Sequence, residues 1–392
     1  MNTLPTFSRR ARWAIPAGAV ALAGVVTAGT VVSSAQASPE LPLRTPAQLL
    51  ASVAGRTAPL PALTGTVVET ASLGIPQLPG TGNPNSITAL LAGSHTIKVW
   101  YSDPSHIRLA VPVTLSETDV IRNGRQVSVW DSSSNTVTRI QLPAKAGKHT
   151  MPAGAMPSQL PLTPQQAVSQ ALKAVGPSTR VSVERNVTVA GQPAYQLVLS
   201  PKSGGSLIGR VSIAIDASKN VPLRVQVFAR GAASPAFQVG YTSISFVKPA
   251  AGNFSFTTPP GAKVKMVNPA GSSGKMPAKG TKASGEPQVI GKDWTSVAVL
   301  PASAMGSLMG AGIASSAGGQ APPQAVGGSG GSGENAAVAA ALLRSATPVH
   351  GAWGSGKLLR TSLVSVLMTS NGHVLVGAVT PAVLESAAAQ VK

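Results

Sequence analysis

Apolar and polar positions alternate with a period of two in a series of short runs between residues 63 and 257. The clearest run is Thr96 to Pro143, where short segments rich in Val, Ile, Thr and Trp are separated by Asp103-Pro104-Ser105, Asn123-Gly124 and Ser132 to Asn135. Turn residues between alternating apolar runs predict an antiparallel meander. Alternation places Ile97, Val99 and Tyr101 on one face and Ile107, Leu109, Val111 and Val113 on the same face of the next strand. Lys98, His106 and Arg108 fall on the opposite, wetter face, with Trp100 and Trp130 also off the Val/Ile side. A sheet with one greasy face needs something apolar to cover it.

The same period predicts strands at Leu63–Leu73, Arg180–Ala190, Ala194–Ser200, Ile208–Asp216, Pro222–Ala229 and Phe237–Phe246, with Phe254–Thr257 closing the sheet. Two segments break to a helical period. AQLLASVAG after Thr45-Pro46 and QQAVSQALKAVG after Thr163-Pro164 each have Thr at the cap and Pro at the first helical position. No alternating βαβ pattern occurs, which argues against a parallel sheet. Gly74 to Ala92 reads as a Pro/Gly-rich insert with a short apolar run at Ile87–Leu91, and Pro143 to Leu162 as a second loop.

Residues 263–287 read as a flexible linker of Gly, Ser, Pro, Lys and Ala. Beyond it, a strand at Gln288–Leu300 holding Trp294, a Gly-rich loop at Gln320–Glu334, a helix at Asn335–Ser345, strands at Leu358–Thr369 and His373–Val379, and a last helix after Thr380-Pro381 make a small α+β domain over 288–392. Residues 1–37 have the form of an export signal: Arg9, Arg10 and Arg12, then the uncharged run Ala14 to Val32, then Ala35-Gln36-Ala37 before Ser38. The remainder, from 38 to 262, is the main β-rich domain. The expected location is extracytoplasmic, secreted or in the cell envelope, and membrane-anchored if the leader is retained.

Composition narrows the chemistry. The chain has 392 residues, no cysteine, 11% charged residues and a formal charge of +19, which falls to +16 once the three leader arginines are subtracted. Without cysteine there is no disulfide, no thiolate and no lipobox. The basic residues are scattered singly rather than clustered with aromatics, which argues against nucleic acid and for contact with an anionic membrane surface or cell wall. Five dispersed histidines form no metal-ligand pair, and there is no G-x-S-x-G elbow. Glu117 and Asp119 share a strand face, which reads as a solvated strand entry beside Arg122 rather than a catalytic dyad. The sequence thus points to no enzyme, cofactor or metal.

The run YSDPSHIRL…DVIRNGRQVSVWDSSSNTVTRI resembles the outer-membrane lipoprotein carrier family (LolA-like) and its RseB/MucB relatives, through Tyr101, Pro104, Ile107-Arg108-Leu109, Asn123-Gly124 and Trp130-Asp131. GHVLVGAVTPAVLESAAAQV (Gly372 to Val391) is similar to the end of RseB/MucB proteins. The resemblance implies an α+β fold: an incomplete antiparallel β-barrel wrapped around helices, plus the small C-terminal domain. It implies a hydrophobic groove for an acyl chain of a lipid or acylated lipoprotein, lined here by Val67, Ile97, Val99, Tyr101, Ile107, Leu109, Val111, Val127 and Val129, with Arg108 as a lid contact. The alternative it implies is an RseB-like sensor that acts on a membrane-bound anti-sigma factor through its C-terminal domain.

Overall fold

The computed structural model describes residues 39–54, 60–74, 92–113, 115–142, 162–173, 175–267, 288–301 and 344–391. The leader, most of the 74–92 insert, the Ile87–Leu91 run, the 320–334 loop and nearly all of the 335–345 helix lie outside these residues.

The strands are β1 (Leu63–Ser72), β2 (Ala92–Asp103), β3 (His106–Val113), β4 (Ser116–Asn123), β5 (Gln126–Asp131), β6 (Thr136–Gln141), β7 (Thr179–Val189), β8 (Gln192–Pro201), β9 (Ile208–Asp216), β10 (Pro222–Ala229), β11 (Phe237–Ser245) and β12 (Lys263–Val267). They form one open 12-stranded sheet in the order β12-β6-β5-β4-β3-β2-β1-β11-β10-β9-β8-β7. The meander is as its turns predict, and Gly124 takes the positive φ of 61° that its turn requires.

Helices α1 (Pro46–Ala54) and α2 (Pro164–Lys173) lie on the inner face of this sheet, chiefly against β7, β8, β10 and β11. Each starts with a reciprocal capping box: Thr45 N donates to Gln48 Oε1 at 2.8 Å and Gln48 N to Thr45 Oγ1 at 3.2 Å, while Thr163 N donates to Gln166 Oε1 at 2.9 Å. The core they close contains Leu49 and Val168 from the helices and Val67, Ile97, Leu197, Ile213, Leu223 and Val239 from the sheet. Around it the β7–β11 half curls enough for β7 to touch β11.

Several sequence readings change here. Phe254 does not close the sheet; it ends a 3-10 turn, Ala251–Phe254, lying on the outer face of β3 and β4. The chain from β11 therefore crosses the outside of the sheet, held by the Phe254 ring edge-on to His106 at 5.7 Å and by Arg139 Nη2 donating to Thr258 Oγ1 at 2.6 Å. The strand at its end is β12, from the first residues of the stretch read as linker, and it pairs with β6 in parallel. Finally, Gln288–Leu300 is not one strand. It divides into β13 (Gln288–Ile290) and β14 (Val297–Pro301) around a 3-10 turn at Asp293–Thr295.

The second sheet adds β15 (Thr347–Gly351), β16 (Gly354–Arg360), β17 (Ser365–Thr369) and β18 (His373–Gly377), in the order β13-β14-β18-β17-β16-β15. The Leu358–Thr369 run is thus two strands, because Thr361 Oγ1 accepts from Val364 N at 2.9 Å and turns the chain between them. Helix α3 (Pro381–Ala388) packs on β17 and β18 and buries Leu384 against Val297, Leu367 and Leu375. Thr380 makes no side-chain cap here. Its backbone N instead donates to Gly205 O at 2.8 Å.

That bond is one of several joining the sheets. Leu207 N donates to Ala378 O at 2.9 Å and Ser362 N to Leu73 O at 2.8 Å. Gly205 has φ +95°, and a Cβ there would meet Val383 at 3.1 Å, so glycine permits the approach. The Trp294 ring enters the large core, its Nε1 donating to Thr179 Oγ1 at 2.7 Å. Replacing Thr179 by Val strands a buried indole donor, with an expected cost of about 1–3 kcal/mol. Chemical denaturation should show the loss in one cooperative transition; a separate early transition of the small sheet would mean that the tryptophan does not couple the two.

Candidate functional site

The inner face of β1 to β6 is built by simple alternation. Cross-strand pairing sets Val67 opposite Ile97, Val99 opposite Leu109, Leu109 opposite Val120, and Val127 opposite Ile140. These side chains divide into two groups. Val67, Ile97, Val99 and Val111 belong to the main core beneath the helices, with Tyr101 and Leu109 packed against it. Val127 and Val129 belong to a second cluster with Val120, Ile140 and Leu142, and Leu109 touches both. Ile107 is half-buried opposite Arg122 and joins neither cluster.

The candidate lining residues therefore share one face, but four of them are floor of the helix-filled core. The second cluster differs. Among the described residues no helix belongs to it, although its members are at most 9% exposed. Val120, Ile140 and Leu142 are absent from the expected lining. The sequence does hold a signal for them: once the Asn123-Gly124 turn fixes the hairpin register, Val120 must face the same way as Val127 and Val129. Arg122 and Arg125 border this cluster, Arg122 Nε donating to Gly124 O at 3.2 Å and Arg125 Nε to Leu142 O at 2.9 Å.

Two titratable groups lie deeper along the inner face. Glu69 is 4% exposed and accepts from Leu162 N at 2.6 Å, just before α2. Burial raises its pKa, against the lowering effects of that bond and of His95. Tyr241 is buried and its phenol is pushed up to about 12, again by burial, while Gln165 Nε2 donates to its oxygen at 3.3 Å.

The outer face carries an ion pair of its own. Arg108 lies there, as alternation requires, with Nη2 donating to Asp119 Oδ2 at 2.7 Å and its guanidinium 5.1 Å from the centre of the Trp100 ring. A lid contact on the inner face would need this arginine to leave a buried carboxylate and cross the sheet. The reading of Glu117 and Asp119 as a solvated strand entry beside Arg122 is likewise corrected: Arg122 points inward, and Asp119 is 3% exposed. Burial and the neighbouring Asp119 carboxylate raise the pKa of Glu117.

No protein-family profile and no curated protein matches the chain. Similar solved structures do exist. A chain of the Pseudomonas aeruginosa MucA/MucB complex is 15% identical, with 88% of this chain and 96% of that one covered and a TM-score of 0.39. A LolA superfamily protein from Nitrosomonas europaea is 11% identical, with 55% and 99% covered and a TM-score of 0.21. A putative outer membrane lipoprotein-sorting protein domain from Vibrio parahaemolyticus is 10% identical, with 50% and 89% covered and a TM-score of 0.18.

The raised pKa of Glu117 gives the sign of a pH effect. Its contribution to folding is complete below the ordinary glutamate range and is lost as pH rises through the raised value. Glu117→Gln should therefore be more stable than the parent near pH ~7 and match it near pH ~4, in denaturant titrations at both values. Equal stability of the two proteins at both values would refute the destabilisation of ionised Glu117 by burial and by Asp119.

Proposed function

We propose that this chain is an exported, extracytoplasmic binding protein whose inner sheet face holds an acyl chain of a lipid or acylated lipoprotein. The observation that carries this reading is the division of the inner face into two clusters. Helices α1 and α2 fill the β7–β11 half, while the β3–β6 half presents Leu109, Val120, Val127, Val129, Ile140 and Leu142 with no described helix among them. The main core is already occupied by its own side chains, so the second cluster is the better seat for an apolar ligand. Its members are shielded from solvent, so entry requires an opening step. Burying a dozen methylenes is worth about 10 kcal/mol at roughly 0.8 kcal/mol each before the costs of ordering, so such a site needs no catalytic or metal chemistry.

A second reading, an RseB-like sensor, is favoured by Trp294. A carrier has no need of a second sheet, yet this one sends a tryptophan into the core that also holds Val99 and Val111. A ligand that moved β3 would thereby be felt at the small sheet, and through it by a membrane-bound anti-sigma factor. Native mass spectrometry of the protein purified from its own host, with organic extraction, separates the two. A stoichiometric acylated species that survives purification is expected for the carrier. A ligand-free mass, together with recovery of a membrane partner by the full-length chain, would overturn the carrier and favour the sensor.

A further inference from the structure

An open sheet has two edges, and each leaves a row of backbone groups unpaired. In the large sheet the β7 edge is protected: a bulge interrupts it between Glu184 and Val187, and Asn186 Nδ2 donates to Pro39 O at 3.2 Å. The small sheet ends in β13, only 3 residues long, and in β15, which carries Pro348. The fourth edge, β12, has none of these devices. All five of its residues are exposed, its register with β6 is regular, and among the described residues nothing pairs with its outer side.

Its two faces differ in chemistry. The register sets Lys263 and Lys265 beside Thr136 and Thr138, and Val264 and Met266 beside Val137 and Arg139. Met266 is 73% exposed and Val264 47%. Lys263 N donates inward to Asn135 O at 2.9 Å, so by alternation the N–H groups of Val264 and Met266 point outward. We infer that the outer edge of β12 is a strand-addition site for an extended acidic peptide, whose carboxylates at alternate positions face Lys263 and Lys265 and whose intervening apolar residues lie beside Val264 and Met266. Main-chain bonds supply the affinity and the lysine pair the selection. A second copy of this chain is the wrong occupant, because β12 against β12 sets lysine near lysine. The inference is independent of what the inner face binds.

The test uses the full chain and two soluble peptides, one alternating Val and Glu and one alternating Val and Lys, followed by fluorescence anisotropy. The Glu peptide should bind saturably and the Lys peptide about tenfold more weakly, as expected when two cross-strand pairs change from attraction to repulsion. Met266→Pro removes an outward N–H but no bond to β6, and should weaken the Glu peptide at least about tenfold while leaving the far-UV circular dichroism unchanged. The double variant Lys263→Glu and Lys265→Glu alters only exposed side chains, and should reverse the preference between the peptides. Equal binding of both peptides, an unreversed preference in the double variant, or a dimer of the parent that Met266→Pro dissociates would each overturn the proposal.

Discussion

The architecture depends on the need to keep water off the inner face of one long, open sheet. Twelve strands in a single ladder place Val67, Ile97, Ile213, Leu223 and Val239 on the same side, and no closure of the ladder removes that side from solvent. Other parts of the chain must do it. Helices α1 and α2 do so for one half, each fixed at its first turn by a Thr–Gln capping box. Trp294 does so at the end next to β7, where its indole nitrogen is satisfied by Thr179. Burial of apolar area dominates folding, so these three insertions also fix the curl of the sheet.

The outer face follows a different rule. It buries polar groups and must satisfy them locally. Arg108 and Asp119 neutralise each other there, and the crossing segment sets the Phe254 ring edge-on to His106. Glu117 is the group left under tension, through its burial first and the neighbouring Asp119 carboxylate second. This crossing also delivers β12 to the far edge, so that the Phe254 contact and the exposed strand come from one stretch of chain.

Local features made much of this legible in the sequence. The period of two, the Asn123-Gly124 turn and the two Thr-Pro helix starts were enough to predict the meander, α1 and α2. What escaped prediction depends on non-local pairing. KVKMV alternates, but it stands among Gly, Pro and Lys, and only its parallel pairing with β6 makes it a strand. Alternation placed Arg108 on the correct face, yet its partner is fixed by cross-strand geometry that composition does not carry. Pattern alone reads Trp294 as an ordinary strand residue, because its cavity is assembled from strands more than a hundred positions earlier. Val120 and Ile140 are legible as well, since hairpin register alone assigns them to the inner face.

The central claim is that the β3–β6 half of the inner face, and not the helix-filled half, receives an acyl chain. Photo-crosslinking tests it most directly. The full-length protein would be loaded with a fatty acid carrying a diazirine near its methyl end, and the labelled peptides mapped by mass spectrometry. The account predicts adducts on peptides carrying Leu109, Val120, Val127, Val129 and Ile140, suppressed by unlabelled fatty acid. Adducts confined to β7–β11 or to the small sheet, or labelling that unlabelled fatty acid does not suppress, would contradict it.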